Sequence, residues 1–245
     1  MGKAAAYRER NYRLLQGIEK LIPFQVQVKE TDLYIRAEKE LIREAQEAII
    51  LLRYQLENYI FHHPEFYHSF HPLPFDELAP PIVKTMLQAS LVAGVGPMAA
   101  VAGAMAQLVG QELLAYSAEI IVENGGDIFL CTQRPLHVGI FAGPSPLSMR
   151  IGLKIPPAYA GLGICTSSAS VGPSISLGKA DAVCVISPSA SLADAAATAI
   201  GNLVHTADDI PRALAKAQSM PNLQGIIIIM GEKLGVWGEV ELINL

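Results

Sequence analysis

Only three of the 245 residues are cysteine, Cys131, Cys165 and Cys184, and none of them forms a CxxC or other zinc spacing. An odd number of widely separated thiols excludes a disulfide framework and a structural zinc site, and suits a reducing compartment. Charge is also scarce, at 17% of residues, with a net charge of −5 and no basic cluster. That balance argues against nucleic acid and against anionic membrane surfaces as partners. The first thirteen residues mix Lys3, Arg8, Glu9, Arg10 and Arg13 with tyrosines and hold no apolar core of signal-peptide length, so the expectation is a cytoplasmic protein. The serine-rich stretch 166–176 matches neither the phosphate-binding P-loop pattern nor GxGxxG.

What is abundant is apolar material, 51% of the chain. That is enough to fill the core of one large domain or of two small ones, and a single domain over residues 1–245 is the expected organisation. Residues 85–111 carry no formal charge, and their length alone would allow a membrane span. Gly94-Val95-Gly96-Pro97 interrupts the run, and Gln88 and Gln107 lie inside it, so buried helix is the expected state.

Residues 24–35 alternate apolar and polar side chains around Glu30-Thr31-Asp32, a hairpin pattern. From residue 37 to 60, Leu41, Ala45, Ile49, Leu52, Leu56 and Ile60 recur at helical spacing. The Pro- and His-rich stretch 61–80 is expected to be a connector. Its His62, His63, His68 and His71 are interleaved with prolines and aromatics, which fits a packed connector better than a metal site. Residues 119–130 read as two strands around Asn124-Gly125-Gly126, and further strands are expected near 136–143, 148–155, 161–166, 181–186, 225–230 and 233–242. Residues 191–204 and 209–218 read as helices. Strand clusters with paired helices predict a layered α+β fold, and their order suits a duplicated unit although no exact repeat exists.

Three stretches carry candidate chemistry. In Glu123-Asn124-Gly125-Gly126-Asp127 the glycines permit close approach of a ligand to the backbone and Asp127 offers a carboxylate, while a plain hairpin turn explains the same letters. Residues 166–176, from Thr166-Ser167-Ser168 to Ser176, hold six hydroxyls and no charge, a donor-rich loop suited to phosphate oxygens or an ordered serine-rich connector. Asp194 and Thr198 stand four apart on a helix, which turns both oxygens to one face, as a hard cation requires. The competing reading is a capping box, Ser191 with Asp194 three residues later, in which Asp194 satisfies its own helix's amides.

The order NGGD, a strand ending in Thr166-Ser167, then a helix reading ADAAATA resembles the ApbE-type FAD:protein FMN transferases. Together with KETDLYI, GVGPMAAVAGA and ADAAATAIGN it is similar to the uncharacterised UPF0280 proteins over nearly the whole chain. The resemblance implies an α+β fold of two intertwined, duplicated βα units, with residues 1–23 as an N-terminal extension. It also implies magnesium-dependent transfer of the FMN part of FAD to a threonine of an acceptor protein. Asp194 and Thr198 would then ligate magnesium, and Asn124, Gly125, Gly126, Asp127, Thr166, Ser167 and Ser168 would line the flavin nucleotide. The transferases' K-G-Y-A-V-D-R segment is replaced by Ala93-Gly94-Val95-Gly96-Pro97-Met98-Ala99, and their H-x-I-x-D-P segment has no counterpart before Asp181. The alternative to a transferase or hydrolase of flavin or nucleotide phosphates is therefore a flavin- or nucleotide-binding protein that does not turn its ligand over. A homo-oligomer is compatible with either.

Overall fold

The computed structural model describes residues 15–16, 20–169 and 177–245. Strands β2 (Ile22–Val28), β3 (Thr31–Ala37), β4 (Ile120–Asn124), β5 (Asp127–Thr132), β8 (Ala158–Ser167), β9 (Ala182–Ser187), β10 (Gly225–Met230) and β11 (Lys233–Gly238) form one eight-stranded sheet. Every pairing in it is antiparallel and the strands lie side by side in chain order. A second sheet, ordered β1-β6-β7-β12, comprises β1 (Leu15–Gln16), β6 (Leu136–Gly139), β7 (Ile151–Ile155) and β12 (Glu241–Asn244).

Alternation decides which face each side chain takes. On β3, Leu33, Ile35 and Ala37 join Val122 and Phe129 in a core against the helices. On the reverse face Ile121, Ile128, Leu130 and Ile164 pack against Leu136, Val138 and Leu153 of the small sheet. The central strands are buried on both faces, which explains why β9 and β10 read as unbroken apolar runs. The fold thus has three layers, helices, large sheet and small sheet, in the layered α+β class expected.

Helix α1 (Ile42–His62) buries Ala45, Ile49, Leu52 and Leu56, the spacing read from the sequence. A short α2 (Glu65–His68) interrupts the expected connector, burying Phe66 while His63 stacks on Tyr59. The uncharged run 85–111 becomes two helices, α3 (Pro81–Ala93) and α4 (Val101–Leu113), bent by 105° at a link that includes a 3₁₀ turn, Pro97–Ala100. Among the described residues no single helix is long and apolar enough to cross a membrane. Helices α5 (Ala190–Gly201) and α6 (Ile210–Gln218) complete the layer.

Two strands, then helices, then two strands occurs twice: β2 to β5 around α1, α3 and α4, and β8 to β11 around α5 and α6. The strands of the halves meet at the β5/β8 pairing, and the halves interlock through α5, which packs on both α3 and α4. Among the described residues strand pairing begins at Leu15, earlier than the hairpin from residue 24 with which the sequence pattern starts.

Candidate functional site

Asn124 and Asp127 pair across the ends of β4 and β5, and the two residues between them carry φ of 66° (Gly125) and 109° (Gly126). Both angles are in the left-handed region, which makes this the two-residue turn that matches sheet twist and demands glycine. The sequence pattern places Asn124 within the turn, whereas it ends β4. Its side-chain amide donates to the Ala102 carbonyl at 3.2 Å. The Glu123 carboxylate accepts the Gly126 amide at 2.8 Å, so the turn is held from below.

Asp127 shares the helix-facing side with Asn124 and lies opposite Cys165 on β8. Its carboxyl accepts the Thr166 backbone N–H. The Cys165 thiol sits between that carboxyl and the Ala190 carbonyl, 3.2 Å away, and donates to one of them at a time. Asp194 approaches from α5 and accepts the backbone amides of Gly103, at 2.8 Å, and Ala102. A Cβ on Gly103 would meet the Ala190 carbonyl oxygen at 2.3 Å, so only glycine lets α4 come this close to α5.

This arrangement corrects the capping-box reading. Ser189 is the N-cap of α5, its hydroxyl accepting the Leu192 amide at 3.3 Å. Asp194 instead caps the first turn of the neighbouring helix α4, which has no side-chain cap of its own.

The electrostatics are set by two carboxyls at the cleft wall, Asp127 buried and Asp194 half-buried. Burial pushes Asp194 up to about 7, against the stabilising pull of the Gly103 and Ala102 amides. Asp127 is raised well above the usual carboxylate range, first by burial and then by the charge of Asp194. Glu123 adds to the same negative field. Thr198 follows one turn after Asp194 and faces the same cleft, and Asn202 continues the row one turn further, accepting the Leu177 amide at 2.9 Å.

All nine residues singled out by the sequence, Asn124, Gly125, Gly126, Asp127, Thr166, Ser167, Ser168, Asp194 and Thr198, line one cleft of about 960 Å³. Thr166 hydrogen-bonds the Cys184 thiol, also at the wall, whose pKa burial pushes up to about 11. Residues 170–176 of the serine-rich stretch lie outside the described residues. His62, His63 and His71 do not line this cleft, while His68 reaches its rim. Among the described residues no group of three His, Cys, Asp or Glu side chains forms a ready-made metal cluster. Asn202 was legible as the third member of the i, i+4, i+8 row. Tyr34, Arg36 and Cys184, which also line the cleft, carry no local signal that separates them from ordinary strand residues.

A family model described as "AbpE bacteria" matches residues 13–225. A UPF0280 protein of Methanococcus aeolicus is 41% identical over 226 residues, covering 90% of this chain and 91% of its own length. A UPF0280 protein of Methanosarcina barkeri is 44% identical over 217 residues, covering 87% and 85%. Among solved structures, the flavin transferase ApbE of Vibrio cholerae is similar with a TM-score of 0.58 at 12% identity, covering 89% of this chain and 96% of that one. The apo flavinyl transferase ApbE of Pseudomonas stutzeri gives 0.56 at 14% identity, covering 89% and 94%. At such identities the likeness is one of fold.

Proposed function

The chain belongs to the UPF0280 family of ApbE-like proteins, and from that premise we propose that its cleft holds a flavin or related nucleotide diphosphate with a divalent cation and cleaves or transfers the phosphate ester. One observation carries this reading: Asp127 and Asp194 enter the cleft from β5 and α5, both raised by burial, and Asp127 is raised further by Asp194. Two such carboxylates so placed fit a hard cation with oxygen ligands, and the Thr198 hydroxyl supplies a third oxygen from the same wall. Magnesium held there would neutralise the diphosphate and stabilise the leaving phosphate.

The residues around the pair supply the rest. Thr166, Ser167 and Ser168 place short hydroxyl donors beside the turn of Gly125 and Gly126, where phosphate oxygens have room against the backbone. The volume is at the upper end of the usual range for small-molecule sites, enough for a dinucleotide-sized ligand. The structural neighbours from Vibrio cholerae and Pseudomonas stutzeri are named as flavin and flavinyl transferases, which supports FAD as the first ligand to try and an acceptor protein as the recipient.

A second reading, binding without turnover, is favoured by the link between α3 and α4. Val95, Gly96, Met98 and Ala99 line the cleft there and bring no charged or hydroxyl side chain. Incubation of the purified protein with FAD and magnesium distinguishes the two. Released AMP with FMN bound to a protein marks a transferase, and AMP with free FMN a hydrolase. Retention of FAD without AMP marks a binding protein. No retention and no turnover with FAD, ADP or ATP would refute both readings.

A further inference from the structure

On β3 the alternation that turns Leu33, Ile35 and Ala37 toward the helices turns Tyr34 and Arg36 to the opposite face, where both line the same cleft. Two described arginines line that cleft, and they are used differently. Arg53 is held by Glu30 at 2.5 Å, Glu57 at 2.7 Å and the Thr31 hydroxyl at 2.7 Å. Arg36 has no carboxylate partner among the described residues. Its one described hydrogen bond runs from a terminal nitrogen to the Tyr34 hydroxyl at 3.5 Å. The Nε of each arginine is buried with no partner, so the difference between them is the carboxylates that hold Arg53 and are missing around Arg36. The guanidinium carbon lies 5.4 Å from the centre of the Tyr34 ring, over its face, within cation–π range.

Arg36 is half-buried, and a partly desolvated guanidinium without a countercharge gains most when an oxyanion binds. We infer that Arg36 anchors a second anionic group of the ligand, a phosphate or carboxylate separate from the diphosphate at the acidic end. The inference rests on the proposed nucleotide-type ligand only for the identity of the first group.

The register gives the separation. Arg36 lies opposite Ile121, whereas Leu33, three residues earlier, lies opposite Asn124 at the turn. Three residues of strand span about 10 Å, and Arg36 is on the sheet face away from Asp127. The cleft therefore has an acidic end, which takes an anion through a cation, and the single guanidinium of Arg36, which takes an anion directly from the face it shares with Tyr34 and the Glu123 carboxylate. A forked guanidinium matches a phosphate or a carboxylate through two parallel hydrogen bonds. The ligand class is a nucleotide-type molecule with two anionic groups at least that far apart. A single central diphosphate, as in FAD, would satisfy only the acidic end.

The test observes arginine Nε–H resonances of the full-length protein by ¹⁵N NMR, with Arg36→Lys identifying the Arg36 signal. Without divalent cation, inorganic phosphate and acetate are titrated separately. A saturable shift of the Arg36 resonance is expected with one of them. A stronger response to phosphate assigns a phosphate group, and a stronger response to acetate assigns a carboxylate. Arg36→Gln should weaken binding of the preferred anion about 10- to 100-fold while the magnesium-dependent thermal shift is retained. An Arg36 resonance that neither anion moves overturns the inference. Should magnesium and nucleotides have no effect on the wild type while the Arg36 response persists, the proposed function fails and this inference stands. The wild-type titration decides even if Arg36→Gln does not fold.

Discussion

Asp194, on α5, accepts the backbone amide of Gly103 at 2.8 Å across 91 residues of chain, and so caps a helix to which it does not belong. The carboxylate proposed to hold a cation is also the group that fixes how α4 and α5 meet.

These two roles separate by substitution. Asp194→Asn keeps an oxygen acceptor for the Gly103 amide but removes the charge that repels Asp127. Without divalent cation it should melt at or above the wild-type temperature, and magnesium should stabilise the wild type but not the variant. Asp194→Ala should lose about 0.5–2 kcal/mol of stability through the missing cap. Thermal melts of the three proteins with and without magnesium decide it, and identical magnesium responses would remove the cation site.

The same pair predicts an unusual pH dependence. In the unfolded chain both aspartates titrate near the ordinary value of 3.8, whereas Asp194 in the fold is raised to about 7 and Asp127 is raised as well. The folded state then holds more protons than the unfolded state, so this contribution is full below about pH 4 and is lost as pH rises toward 7. Melting temperature in a chelating buffer should fall between about pH 4 and pH 7. It should fall less in Asp194→Asn, and less in wild type with magnesium, because the cation binds the ionised form. A wild-type melting curve that rises across that range in chelator would contradict the assignment.

Gly103→Ala is expected to destabilise by about 1–3 kcal/mol through overpacking, since the new Cβ would meet Ala190 O at 2.3 Å and the Asp194 Cβ at 2.8 Å. Displacing α4 from α5 also lengthens the Asp194 hydrogen bond. Magnesium-dependent stabilisation should therefore weaken together with stability, and a Gly103→Ala protein with a wild-type magnesium response would show that the close approach does not position the carboxylate.

Glu119 provides a contrast away from the cleft. It is 2% exposed, and burial alone would raise its pKa. The ion pair with Arg134 and the Gln133 amide at 3.0 Å reverse that and hold it lowered. Arg134→Met should cost about 1–3 kcal/mol in urea denaturation by leaving the carboxylate buried without its countercharge, and Glu119→Gln in the same background should recover part of it. Ligand and magnesium responses should be unchanged in both.

The strands were legible where local rules act alone. Gly125-Gly126 between apolar runs marks a hairpin, and Ile226 to Ile229 reads as a strand buried on both faces because it is one. The row of Asp194 and Thr198 was legible because helical spacing sets it. Less legible were features decided by distant partners. The amides that Asp194 accepts lie on another helix, so its local spacing from Ser191 suggested a cap that the chain does not make. Arg36 has the same polar position in an alternating hairpin as a solvent-facing residue would, and only the cleft around it tells them apart. The tail from residue 233 reads as continuous strand pattern, yet Gly238, at φ 90°, turns it so that β11 joins the large sheet and β12 the small one.

The eight strands in chain order also bear on how the protein is held together. Asp127 begins the last strand of the first half and Asp194 lies on the first helix of the second, so each half brings one carboxylate to the β5/β8 seam. Neither half owns the site. An ion gripped by both would act as a rivet, and removing it should loosen the two halves against each other before either one unravels.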